Sequence, residues 1–252
     1  MSQTLIIKRF KSHFYTKKNK MIHTDTDRSR FLDSLILPLF GAILMWVIHI
    51  VSFVLGADLY YLGIFPKSFP GLIGIITGPF IHGDFQHLTS NTVPFILLSW
   101  MITYFYKEVA IKSILAIYIL TGLAVWGFAR EVYHIGASGV IYGLVAFVFW
   151  SGVFVKDIRS IVLSMVVTIL YSGMFFGIVP NQEGISWESH FYGALVGIFI
   201  AFVMKSQIEP EKKHDDWEED ETDKTYFLPR DTFEKTKIER AREQWNWNSD
   251  MT

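Results

Sequence analysis

The chain has 252 residues, of which 51% are hydrophobic and 19% charged, with no cysteine and a formal net charge of -1. The lack of cysteine excludes disulfides and thiolate metal sites. A mean hydropathy of +0.31, with the charge gathered at the two ends, excludes the layout of an ordinary soluble domain and points to a polytopic membrane protein.

Residues 1–34 form a basic segment carrying Lys8, Arg9, Lys11, Lys17, Lys18, Lys20, Arg28 and Arg30. No apolar core with a small-residue cleavage site follows them, so membrane targeting is expected from the first spanning helix. Residues 35–205 hold six apolar stretches, near 35–56, 88–106, 111–129, 138–155, 159–179 and 187–205. Each approaches the ~20 residues that cross a hydrocarbon core. The fold class is therefore all-α: a polytopic bundle of six transmembrane helices, with five or seven as competing counts. The loops after spans two and four carry Lys107, Lys112, Lys156 and Arg159, whereas the alternate loops hold only Lys67, Arg130 and none. Basic residues stay on the cytoplasmic side, so both termini are expected inside. Spans two, four and six then run inward from the outer face. The tail 206–252 is charged, with an acidic cluster from Asp215 to Glu221. It reads as a solvated cytoplasmic segment, with a short helix possible over Thr232 to Trp247.

Polar side chains at membrane depth are costly and mark function. Three clusters stand at the outer ends of the inward-running spans. Span two opens with His82, His87 and Asn91, span four with Gly136, Ser138, Gly139 and Tyr142, and span six with His190, Gly193 and Gly197. All three share one depth. His190, Gly193, Ala194 and Gly197 fall on one helix face, and such small-residue faces let membrane helices approach closely. A short serine side chain needs that approach to reach an imidazole on a neighbouring helix.

The chemistry suits these residue types. A serine hydroxyl becomes a nucleophile when a positioned base takes its proton, and histidine can act as base and then acid. Ser138 and His190 are the candidate pair. His87 and Asn91, at i and i+4, are candidate oxyanion donors, joined by backbone N–H groups around Gly136 and Ser138. Glu188 lies two residues from His190 and points to a different face, so no third triad member is evident. Tyr142, one turn below Ser138, is the candidate to fix the imidazole by stacking. The reading is a dyad.

Gly136-x-Ser138-Gly139 with Tyr142 and Gly143, His82-x4-His87-x3-Asn91, and His190-x2-Gly193-x3-Gly197 resemble the motifs of rhomboid intramembrane serine proteases, in matching order over spans two to six. The resemblance implies a rhomboid-like bundle with Ser138 as nucleophile and His190 as base. It also implies His87 and Asn91 in the oxyanion hole, Tyr142 packed on His190, and His82 as a structural part of span two. The substrates implied are single-pass transmembrane proteins cut near their outer end, reached sideways from the lipid bilayer. A bacterial inner membrane is the expected location. No cofactor, metal or nucleic-acid partner is implied, and the oligomeric state is left open. One departure stands out: many members carry a Trp-Arg pair in the first loop, where this chain reads Gly71-Leu72-Ile73-Gly74-Ile75-Ile76-Thr77.

Duller readings exist for each residue. An isolated membrane serine is usually a packing residue, His87 alone reads as an interface histidine, and His49 belongs to no cluster. A metal site of His82, His87 and His190 leaves Ser138 unexplained and lacks a His-Glu-x-x-His helix. A non-catalytic rhomboid-like client binder would need a lost nucleophile or base. A six-span transporter would need polar residues along a path to the inner side. The three clusters together favour the protease.

Overall fold

A computed structural model describes residues 3–180, 186–208, 236–239 and 242, with side chains from residue 28 onward except Phe175. The described residues are helical, without a strand, and divide into two compact units, Met1–Glu211 and Lys212–Thr252. In the second unit, Thr236 caps a helical turn: its backbone N–H and its hydroxyl both donate to the Glu239 carboxylate, at 2.7 and 2.9 Å. The helix anticipated over Thr232 to Trp247 and the acidic cluster from Asp215 lie otherwise outside the described residues.

The first unit contains α1 (Gln3–Leu55), α2 (Gly74–Thr77) between two 3-10 turns, α3 (Phe85–Phe105), α4 (Ala110–Phe128), α5 (Ser138–Val155), α6 (Ile158–Tyr171) and α7 (Trp187–Met204). Four of these are long and apolar enough to cross a membrane: Arg28–Leu55 of α1, α4, α5 and α7. α3 has the length but spends its first two turns on Gln86, His87, Thr89, Ser90, Asn91 and Thr92. α6 is a shorter apolar helix, extending in 3-10 form through Ser172–Ile178. The sequence expectation of one continuous helix over 159–179 is thus corrected: α geometry stops at Tyr171. α1 also continues N-terminally well beyond residue 35, through the basic segment.

α5 is apolar on every side, and such a helix belongs in the middle. Phe147, Ile141, Leu144 and Val148 are fully buried there, and α5 packs against α7, α6, α3 and α4. Lipid tails are as apolar as leucine, so helix pairing in a bilayer relies on close fit and on satisfied polar groups. α1 gives an instance. Pro38 lacks the N–H that would bond the Ser34 carbonyl, and the Thr103 hydroxyl of α3 donates to that carbonyl instead, at 2.7 Å.

The first loop is anchored without a Trp-Arg pair. Lys67 donates its N–H to the Trp126 carbonyl, the Trp126 indole donates to the Ser68 carbonyl at 2.8 Å, and Ile64 forms an antiparallel bridge with His134. Tyr118 donates its hydroxyl to the Ile76 carbonyl. α2 packs on α4, and Phe69, Ile73 and Ile76 point outward.

Candidate active site

The turn into α5 explains where Ser138 stands. Gly136 has φ +96°, a region that side chains disfavour, and its N–H donates to the Gly78 carbonyl. A Cβ placed there would lie 2.6 Å from the His87 ring. Glycine is thus required both by the backbone and by its neighbour. Ala137 caps α5, and Ser138 is its first helical residue, where the helix leaves its leading N–H groups unbonded.

α7 brings the imidazole. His190 is buried, and its Nε2 lies 2.8 Å from the Ser138 Oγ. Its Nδ1 lies 2.9 Å from the Gly177 carbonyl oxygen. A carbonyl can only accept, so Nδ1 carries the proton and Nε2 presents a lone pair to the serine. The Tyr142 ring stacks on the imidazole, with centroids 4.1 Å apart and planes 9° from parallel. The Tyr142 hydroxyl donates to the Met174 carbonyl at 2.6 Å. The 3-10 segment Ser172–Ile178 is therefore tied to α5 through Tyr142 and to α7 through His190.

Two helices must nearly touch for a serine to reach that nitrogen. A Cβ on Gly193 would sit 2.0 Å from the Gly139 carbonyl oxygen, and one on Gly197 would sit 2.1 Å from that of Gly143. The α5–α7 crossing is backbone against backbone, one turn below the pair.

α3 supplies the remaining polar groups. Asp84 caps it by accepting the His87 N–H at 2.7 Å, which fixes the first turn. Asn91 is 5% exposed, and its Nδ2 has no hydrogen-bond partner among the described residues. It lies 3.5 Å from the Cβ position of Gly136. A buried donor left unbonded costs on the order of 1–3 kcal/mol, so it stands ready for an acceptor beside Ser138. Asn91→Ala is expected to lower turnover by about 10²-fold or more, with substrate binding nearly unchanged. A cleavage assay that separates kcat from KM checks this; unchanged kcat with raised KM rejects the assignment.

His82 differs from the sequence expectation. It lies in the loop, three residues before α3 begins, because Asp84 takes the cap. Its ring meets His87 edge to face at 4.9 Å, and its Nδ1 donates to the Phe80 carbonyl at 3.3 Å. His49 packs edge-on against Phe85 at 4.6 Å. A cleft of about 580 Å³, lined by His49, Ser52, Asp58, His82 and Asp84 among others, lies beside this cluster.

Sequence reasoning missed three groups. The Gly177 carbonyl leaves no sequence signal, since every residue has a carbonyl. Glu188, whose sequence position tells only that it faces away from His190, forms an ion pair: its Oε1 lies 2.8 Å from Arg130 Nε, with the carboxylate side chain 5% exposed. His134 does leave a readable hint, a histidine four residues before a candidate nucleophile.

Burial lowers the pKa of His134 and holds that of His82 at about 4. The unfolded chain, with imidazoles near ~6.5, binds protons that the folded state refuses. The stability these groups contribute is full above ~6.5 and is lost as the pH falls toward the folded values. Tm in detergent is expected to drop between about pH 7 and about pH 5, and less so in His82→Phe. An identical drop in both proteins contradicts the role given to His82.

These helices define an all-helical integral membrane protein with a hydrogen-bonded serine–histidine pair inside its bundle. The rhomboid domain family matches residues 70–207, and the chain belongs to that family. It is 32% identical over 179 residues to uncharacterized proteins of Mycobacterium tuberculosis and Mycobacterium bovis, covering 68% of this chain and 73% of each relative. It is 28% identical over 140 residues to a protein of Acanthamoeba polyphaga mimivirus that carries the rhomboid name, covering 53% of this chain and 75% of that one.

Proposed function

We propose that the protein is an intramembrane serine endopeptidase that cleaves transmembrane substrates near the outer face of the membrane. The observation that carries this reading is the pairing at His190: Nδ1–H given to the Gly177 carbonyl, Nε2 facing the Ser138 hydroxyl at 2.8 Å. That is the tautomer a general base requires, and a backbone carbonyl fixes it where a carboxylate does so in a triad. His190 Nε2 takes the serine proton as Oγ adds to the scissile carbonyl. The resulting oxyanion meets the Asn91 amide, the His87 ring and the N–H groups at the start of α5. His190 then gives the proton to the departing amine, leaving an ester on Ser138. Water, deprotonated by His190, adds to the ester and releases the new carboxylate as Ser138 regains its proton.

Peptide hydrolysis consumes water, and the cleft lined by His49, His82 and Asp84 supports access from the outer side. α6 packs chiefly on α5, an arrangement suited to sideways substrate access from lipid. α3 and α6 complete six spans in this reading: 21 residues of α3 rise about 31 Å at ~1.5 Å each. The loop charges favour cytoplasmic termini in a bacterial inner membrane, with 1–34 and 206–252 flanking the 35–205 membrane domain. A fluorophosphonate probe followed by mapping of the adduct tests the core of the proposal. Labelling at Ser138 is expected, and no labelling of the folded protein overturns it. A reporter fused after Thr252 should read cytoplasmic and one near Lys67 external; the reverse result overturns the orientation.

A further inference from the structure

The mechanism above leaves one polar cluster unused. His134 is 2% exposed and lies in the loop that leads to Ser138. Its backbone is pinned to the first loop, donating N–H to the Ile64 carbonyl at 2.8 Å and accepting the Ile64 N–H at 2.9 Å. Its ring faces the other way. Nε2 lies 3.0 Å from the Arg130 carbonyl oxygen, and Nδ1 lies 2.5 Å from the Ser186 Oγ. The carbonyl can only accept, so Nε2 bears the proton and the neutral ring accepts from Ser186 at Nδ1. Ser186, its proton so directed, accepts from the Ser189 hydroxyl at 2.6 Å. Every proton in this relay has one place to go.

Ser186 does more than end the relay. Its backbone carbonyl accepts the N–H groups of Ser189 and His190, at 3.1 and 3.4 Å, and so sets the first turn of α7. Three bonds therefore lead from the Arg130 carbonyl through the His134 ring and Ser186 to the His190 backbone. The Arg130–Glu188 ion pair runs alongside them between the same loop and the same helix end. From the loop side, only three residues separate His134 from Ser138.

We propose that His134 is a positioning residue for the dyad: its ring clamps the loop bearing Ser138 onto the turn bearing His190 and so holds the 2.8 Å contact between them. This rests on the serine-protease reading. Helix packing at Gly193 and Gly197 fixes the lower part of the α5–α7 crossing, and the clamp fixes the outer end, where the two reacting groups stand. Neither His134 nor Ser186 touches substrate. Their loss acts through the placement of His190, and a displacement on the order of 1 Å costs about 10²-fold in rate.

The test uses full-length protein in detergent, with His134→Ala, Ser186→Ala, the double variant and His134→Asn. The readouts are the fluorophosphonate labelling rate at Ser138, kcat and KM on a transmembrane substrate, and Tm. Each alanine variant should lose about 10²-fold in labelling rate, with kcat falling more than KM. The double variant should lose no more than the worse single, because both break one relay. His134→Asn, whose amide oxygen can accept from Ser186, should recover most of the rate. Wild-type labelling rates in either folded alanine variant, or single losses that multiply in the double, overturn the clamp. If His134→Ala does not fold, Ser186→Ala and His134→Asn decide by the same criteria. A wild-type protein that folds but is never labelled at Ser138 overturns the protease reading, and the clamp with it.

Discussion

Ser138→Ala is expected to abolish cleavage of a model transmembrane substrate while leaving folding and membrane insertion intact. Among the described residues the hydroxyl makes one hydrogen bond, to His190 Nε2, and its removal leaves the methyl group of alanine, which a helix start tolerates. In a serine protease, loss of the nucleophile or of the base costs on the order of 10⁶ in turnover, and loss of both costs no more, because they act as one unit. His190→Ala should therefore be as inactive as Ser138→Ala, and the double variant no worse than either. His190→Ala should also end labelling of Ser138 by a fluorophosphonate, since an unassisted hydroxyl is a weak nucleophile. Undiminished cleavage by Ser138→Ala rejects the mechanism, and normal labelling in His190→Ala removes His190 as base.

The second large effect is expected from a residue that does no chemistry. Gly193→Ala puts a methyl 2.0 Å from the Gly139 carbonyl oxygen. A relaxed contact needs more than ~3 Å, so α5 and α7 must part by about 1 Å or more. Backbone cannot swing aside as a long side chain can. Gly139 adjoins Ser138, and Gly193 lies one turn from His190, so the gap opens at the dyad. Activity should fall by about 10²-fold or more, and overpacking should cost a further ~1–3 kcal/mol of stability. Gly127→Ala provides the control. Among the described residues nothing lies within 4 Å of its Cβ position in α4, so both rate and Tm should stay near wild type. Labelling rate and Tm measured together check the pair; wild-type labelling in Gly193→Ala shows that the crossing does not set the dyad distance.

The contrast between these glycines shows how unevenly the site was written in the sequence. The spacing of His190, Gly193 and Gly197 announces a small helix face by periodicity alone. Gly136-x-Ser138-Gly139 marks a turn into a helix, and Asn91 one turn after His87 marks one side of α3. Such patterns are legible because helical geometry is local: residues three and four apart share a face in any helix. Span placement followed from apolar runs for the same reason. It was least accurate where geometry changes within a run, as when α6 yields to a 3-10 turn at Ser172, whose Met174 carbonyl is held by a hydroxyl from another helix.

By itself, the sequence determined that this is a helical membrane protein, and which serine and histidine are candidates to meet. Only the tertiary structure decided how they meet. The tautomer of His190 depends on the Gly177 carbonyl 13 residues away in the chain. His134 reaches Ser186 across 52 residues, and Glu188 pairs with Arg130 after reading as a mere near neighbour of His190. The reason is physical. A backbone carbonyl is the same group at every position, and an ion pair or a relay depends on distances through space that no local periodicity encodes. The side chains able to do the chemistry are chosen by sequence; their protonation, orientation and spacing are chosen by what the fold sets against them.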